Sequence, residues 1–133
     1  MMILDTSAVI EFLRGGERIR SIVAAALQSG EVIATTAISY FELMAPISHM
    51  RLKKEEMAIR ALVGEIRMLP LDQKASEEAA QIMGALLRVG RPINALDVLI
   101  AGVAVANKAS AIVTSDLDFQ QVEKVADLRA VLI

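Results

Sequence analysis

The sequence predicts an α/β fold, a three-layer α/β/α arrangement around a mostly parallel central sheet. Two features of the chain's order carry that expectation, and one of composition. Short apolar runs alternate with longer segments of helical spacing, as in repeated strand–crossover–strand units. The runs are continuously apolar, which suits strands covered by helices on both faces. The composition is 55% hydrophobic but only 3% aromatic, so the core must be Ile, Leu, Val, Ala and Met. With 133 residues the chain is expected to form one domain, residues 1–133, with no repeat or linker.

The elements follow in order. Met1 to Leu4 is an apolar run that stops at Asp5, and Asp5-Thr6-Ser7 supplies helix-start chemistry. Ala8, Val9, Phe12 and Leu13 then share one helical face until Gly15-Gly16. Ile19, Ile22, Val23, Ala26 and Leu27 mark a second helix that ends at Ser29-Gly30. Glu31 to Ala34 leans to strand. After Thr35-Thr36, Ser39 and Glu42 have capping-box spacing ahead of Leu43 and Met44. Pro46 to Lys54 reads as a basic connection, and Ile59, Leu62, Val63 and Ile66 as the next helix. Met68 to Leu71 is a strand closed by Asp72. Ala75 to Val89 is a long helix with Ala79, Ile82, Met83, Leu86 and Leu87 inward. Asn94 opens a helix from Ala95 to Asn107 that is apolar nearly all round apart from Asp97, hence buried on most sides. Ala111 to Thr114 is a strand, Ser115 to Phe119 a turn into a short helix, and Leu128 to Ile133 a final strand.

Composition also narrows the chemistry. There are no cysteines and only one histidine, His49, which removes thiolate and His-rich metal sites and leaves little room for Ser-His-Asp catalysis. Any bound metal would have oxygen ligands, pointing to Mg²⁺ or Mn²⁺. The lack of cysteine fits a reducing cytoplasm. A net charge of −2 argues against simple electrostatic coating of nucleic acid. The apolar start is interrupted by Asp5, Glu11 and Arg14, unlike a signal peptide, and no uninterrupted apolar span is long enough for a membrane.

Asp5, Glu42, Asp97 and Asp116 all fall at expected helix starts after strands or in first turns. Each has a capping explanation: Asp5 and Asp116 as caps, Glu42 and Asp97 as the reciprocal half of a capping box. Together they suggest more. In a parallel sheet such helices start at one edge, so the four carboxylates could converge, and converging carboxylates repel unless a proton or cation sits among them. One or two divalent ions bound there would suit phosphodiester hydrolysis by water.

The order Ile3-Leu4-Asp5-Thr6-Ser7, Ser39-x-x-Glu42-Leu43, Asp97-x-x-Ile100-Ala101 and Thr114-Ser115-Asp116-x-Asp118-Phe119 resembles a PIN-domain nuclease. Within that family it is most similar to the VapC toxins of toxin–antitoxin pairs, and the resemblance spans the chain. It implies that Asp5, Glu42 and Asp97 are the core metal-binding acids, with Asp116 the fourth and Asp118 a further acid beside it. Thr6 and Thr114 match hydroxyls that support the carboxylates. The implied activity is Mg²⁺- or Mn²⁺-dependent endonucleolytic cleavage of RNA. The implied partners are a small VapB-like antitoxin, whose C-terminal segment covers the site, and a second copy of the chain in a homodimer or higher assembly. Ser7 stands where many relatives have Asn.

Other residues have plainer readings. His49 is expected to be solvated rather than a base. Arg14, Arg18, Arg20, Arg51, Lys53 and Lys54 are either solvated surface or an RNA-facing rim. Phe41 is expected in the core, and Met44, Met57 and Met83 as gap-fillers or part of an antitoxin groove. Two other functions compete. An aspartyl phosphatase would need a second acid at position 7, which is Ser. A catalytically silent PIN-like scaffold for protein or RNA would be marked by loss of one of the acids, and all four are present.

Overall fold

The computed structural model describes residues 1–133. The elements run β1 (Met2–Leu4), α1 (Thr6–Leu13), α2 (Glu17–Gln28), β2 (Ile33–Thr36), α3 (Ala37–Met50) and α4 (Lys53–Val63). They continue with β3 (Arg67–Leu69), α5 (Gln73–Arg88), α6 (Ala95–Ala106), β4 (Ala111–Thr114), α7 (Phe119–Glu123) and β5 (Ala130–Leu132). The strands form one five-stranded sheet in the order β3-β2-β1-β4-β5, and every pairing is parallel. The three-layer α/β/α expectation holds, and the sheet is wholly parallel.

The pleat distributes the core. Ile3 lies level with Ala34 on one side and Ile112 on the other. This row faces α5, α6 and α7, packing with Ala79, Ile82, Leu86, Val103 and Phe119. One residue along, Leu4 and Val113 pair and face the opposite layer, with Val9, Ile19, Val23, Leu43 and Ile59 from α1 to α4. Alternate residues of a strand point to opposite faces, so these three- and four-residue strands serve both cores. Within that first layer α6 packs tightly on α5 at Gly102. A Cβ there would lie 2.6 Å from both the Ala75 carbonyl and Ala79 Cβ, so only glycine permits this approach of α6 to α5.

Several local expectations give way. Pro46 to Lys54 is not a connection. Helix α3 continues through Pro46 to Met50 and ends at Arg51, whose φ of 56° is left-handed. Pro46 costs one helical bond, the N–H it cannot give to the Glu42 carbonyl, and the flanking apolar contacts of Leu43 and Ile47 hold the helix across it. Thr36, not Ser39, caps α3 by accepting from Ser39 N at 3.0 Å, which moves Glu42 out of the first turn. Phe41 is 61% exposed. With Ser39, Leu43 and Ile47 inward, Phe41 lies about 200° round the helix from its neighbours at 39 and 43. The same geometry turns Met57 away from buried Ile59, and Leu87 also faces outward. No helix is long and apolar enough to cross a membrane.

Candidate carboxylate site

The strand order reverses between β1 and β4: from β1 the chain moves outward to β2 and β3, then returns to place β4 on its other side. At such a reversal the loops leaving the strand ends diverge and open a crevice. Asp5 leaves β1 at this point, and Ser115-Asp116 leaves β4 beside it.

Residues 5 to 7 form a hub. The Asp5 carboxylate caps α1 by accepting from Ala8 N at 2.9 Å, and it also accepts from Ser7 Oγ at 2.7 Å. Its other oxygen accepts from Thr114 Oγ1 at 2.6 Å. Thr6 Oγ1 donates to Glu42 Oε1 at 2.7 Å, tying the start of α1 to α3. Ser7 Oγ in turn accepts from Ser115 N at 2.9 Å. Three successive side chains therefore reach β4, α3 and the loop after β4. Thr114 is fully buried, and its hydroxyl accepts from Asp116 N at 2.9 Å. Asp116 Oδ1 then accepts from Asp118 N at 2.9 Å.

Helix α6 delivers the remaining acid. Asn94 caps it by accepting from Leu96 N at 2.8 Å, and Asp97 makes no reciprocal bond to Asn94 N. Instead one carboxylate oxygen each from Asp97, Asp116 and Asp118 lies within 4.8 Å of the others, all three half-buried. Hydrogen bonding across the edge, through Thr6, Ser7 and Thr114, links this group to Asp5 and Glu42. Asp118 thus stands in the cluster itself. Ser7 is the residue whose part in the network the sequence reading missed. The available signal was a donor–acceptor side chain two positions after a strand-end acid.

The charges on this edge are strained. Burial pushes Asp5 above the usual carboxylate range, while its bonds from Thr114, Ala8 N and Ser7 pull it back and Asp116 adds repulsion. Asp97 is pushed up to about 7, first by burial, then by the close approach of the Asp116 carboxyl and by repulsion from Asp116, Glu42 and Asp5. Four acids therefore sense one another, and near neutral pH the group retains a proton or requires a cation. The donors are all hard oxygens, so the set fits Mg²⁺ or Mn²⁺.

From Glu42 a groove of ≈ 570 Å³ opens between α1, α3 and α4. Ile10, Leu43, Pro46 and Ile59 line it, with Arg14 and Lys54 among its walls. Arg51 and Lys53 border a neighbouring concavity, and Arg18 one that includes Ser115. Arg20 has a structural part, 5.0 Å over the Phe12 ring and bonded to the Phe12 carbonyl. His49 lies exposed in the last turn of α3.

Comparison with known proteins agrees with this architecture. A ribonuclease named VapC19 from Mycobacterium tuberculosis is 29% identical over 119 residues, covering 86% of this chain and 89% of that protein. A crystal structure of VapBC2 from Rickettsia felis, bound to a DNA fragment from its promoter, superposes with a TM-score of 0.86 at 17% identity over 99% of this chain and 98% of that chain. The DNA-bound VapBC of Salmonella typhimurium gives a TM-score of 0.82 at 21% identity, over 98% and 96% of the two chains. Residues 2–125 match the family described as PIN domain, and the chain belongs to that family.

Proposed function

We propose that this chain is an endoribonuclease, the toxin of a VapC-type toxin–antitoxin pair, and that its activity depends on Mg²⁺ or Mn²⁺. One observation carries the reading: in a PIN-domain chain, Asp97, Asp116 and Asp118 bring oxygens within 4.8 Å of one another beside Asp5 and Glu42. Asp5, Glu42, Asp97 and Asp116 are the proposed catalytic and metal-holding acids, with Asp118 adjoining them. A divalent ion, when bound, acidifies water and neutralises charge at a scissile phosphodiester. The protein's own part is to hold acids that would otherwise repel. Thr114 and Ser7 orient Asp5, Thr6 orients Glu42, and the Asp97–Asp116 pair gives up the proton it retains near neutral pH.

RNA is the proposed substrate, with water as nucleophile. A small VapB-like antitoxin is the proposed partner, with its C-terminal segment seated in the groove that opens from Glu42. The groove's apolar lining, with Arg14 and Lys54, suits an amphipathic segment carrying acids. A homodimer or higher assembly completes the reading.

The test is cleavage of a panel of structured RNAs, tRNAs included, by antitoxin-free protein in Mg²⁺, Mn²⁺ or EDTA. Site-specific cuts that need the metal are expected. A folded protein that cuts none of them, yet binds the antitoxin or RNA, would instead support a silent scaffold.

A further inference from the structure

Both oxygens of Asp5 are held by hydroxyls, and each hydroxyl is itself held by a backbone N–H from the loop that carries Asp116. On one side Asp116 N donates to Thr114 Oγ1, which donates to Asp5 Oδ2, at 2.9 and 2.6 Å. On the other, Ser115 N donates to Ser7 Oγ, which donates to Asp5 Oδ1, at 2.9 and 2.7 Å. In each relay the incoming N–H occupies a hydroxyl lone pair and leaves its proton aimed at the carboxylate. Oδ1 also receives Ala8 N at 2.9 Å, so it has two donors where Oδ2 has one. A carboxylate oxygen has about two lone-pair sites, so Oδ2 is the oxygen with capacity left for another partner.

We propose that Ser7 is a positioning residue: it couples the Asp5 carboxylate to the loop carrying Asp116 and turns the free valence of Asp5 to Oδ2. Thr114 alone cannot do this. It fixes Oδ2 and Asp116 N, but leaves Ser115, an exposed residue, with no partner for its N–H except Ser7. Asparagine carries a donor and an acceptor on one side chain and can complete the same relay; alanine carries neither. The coupling itself is independent of the nuclease reading; only its consequences for metal binding and cleavage rest on that reading.

The test uses the full chain with Ser7→Ala and Ser7→Asn. Amide hydrogen exchange at Ser115 is followed without metal, Mn²⁺ affinity by titration, and RNA cleavage as kcat and KM. Ser7→Ala is expected to speed Ser115 exchange roughly 3- to 10-fold, the loss of one ordinary hydrogen bond. It is expected to weaken Mn²⁺ binding by about 10-fold, as for groups that orient metal ligands. It should lower kcat with KM little changed, and Ser7→Asn should recover the exchange rate and the affinity. Unchanged Ser115 exchange and Mn²⁺ affinity in Ser7→Ala would overturn the proposal. So would Ser7→Asn behaving like Ser7→Ala, which would assign the effect to side-chain shape. Wild-type protein that takes up no Mn²⁺, while its Ser115 amide still depends on Ser7, would remove the nuclease reading and leave the coupling in place.

Discussion

Asp5 and Asp97 stand on the same edge of the sheet and are supported in opposite ways. Asp5, at the start of α1, is 4% exposed and surrounded by donors: one backbone N–H and two hydroxyls. Asp97, at the start of α6, is half-buried and faces other acids, with a carboxylate oxygen within 4.8 Å of oxygens of Asp116 and Asp118. Burial raises both, but the donors around Asp5 oppose the rise, whereas the neighbours of Asp97 add to it and take it to about 7. The contrast separates two jobs. The β1–α1 corner is built to keep a buried carboxylate in one orientation without help, and α6 presents one that is stable only with a proton or a cation.

The largest expected effect falls on the α6 side. Metal-free protein titrated with Mn²⁺ near pH 8 should gain about 2.7 kcal/mol of stability at a hundredfold excess over Kd, by mass action. Asp97→Asn should lose most of that gain, as thermal melts in both states would show. Equal gains in the two proteins would mean that the cation does not use α6.

On the Asp5 side, Thr114→Val removes a donor from Oδ2 and leaves Asp116 N without its acceptor. Stranding buried polar groups in this way should cost about 1–3 kcal/mol in denaturant unfolding, with or without metal. A loss seen only with metal present would mean that Asp5 depends on the cation just as Asp97 does.

The remaining effect is in pH. Asp97 binds its proton more tightly folded, near 7, than its ordinary 3.8, so between those values the folded chain holds the extra proton. Stability of the metal-free protein should therefore decline as pH rises through that window, and Asp97→Asn should flatten the decline. Melts across the window in EDTA check this; a rise with pH would mean that the folded chain holds no extra proton, and an undiminished decline in Asp97→Asn would put the retained proton elsewhere.

Much of this arrangement is legible in the residues. Apolar runs mark β1 and β4 as expected, whereas β2 and β3 are shifted to Ile33–Thr36 and Arg67–Leu69 from the expected Glu31–Ala34 and Met68–Leu71. Asp5, Asp97 and Asp116 each sit at the end of a strand or the start of a helix where one-edge convergence can be inferred. What is less legible depends on facing elements. Pro46 suggests a break, but tertiary contacts through Leu43 and Ile47 carry α3 past it, so Glu42 lies mid-helix and meets Thr6 rather than a cap. Phe41 looks like core until Ser39 and Leu43 claim the inward face. Asp118 enters the cluster through the turn after β4, where its N–H donates to Asp116 Oδ1. Gly102 matters only through a facing helix, because its missing Cβ makes room for Ala75 and Ala79 of α5.

For all their difference in support, the acids of the two regions are proposed to act as one unit. The most direct measurement is single-turnover RNA cleavage in Mg²⁺ by wild type, Asp5→Asn, Asp97→Asn and the double variant, each shown to be folded. Each single change should slow cleavage by about 10²-fold or more, and the double should be scarcely worse than either, because parts of one catalytic unit are not additive. A single variant that cleaves at the wild-type rate, or losses that simply multiply, would contradict it.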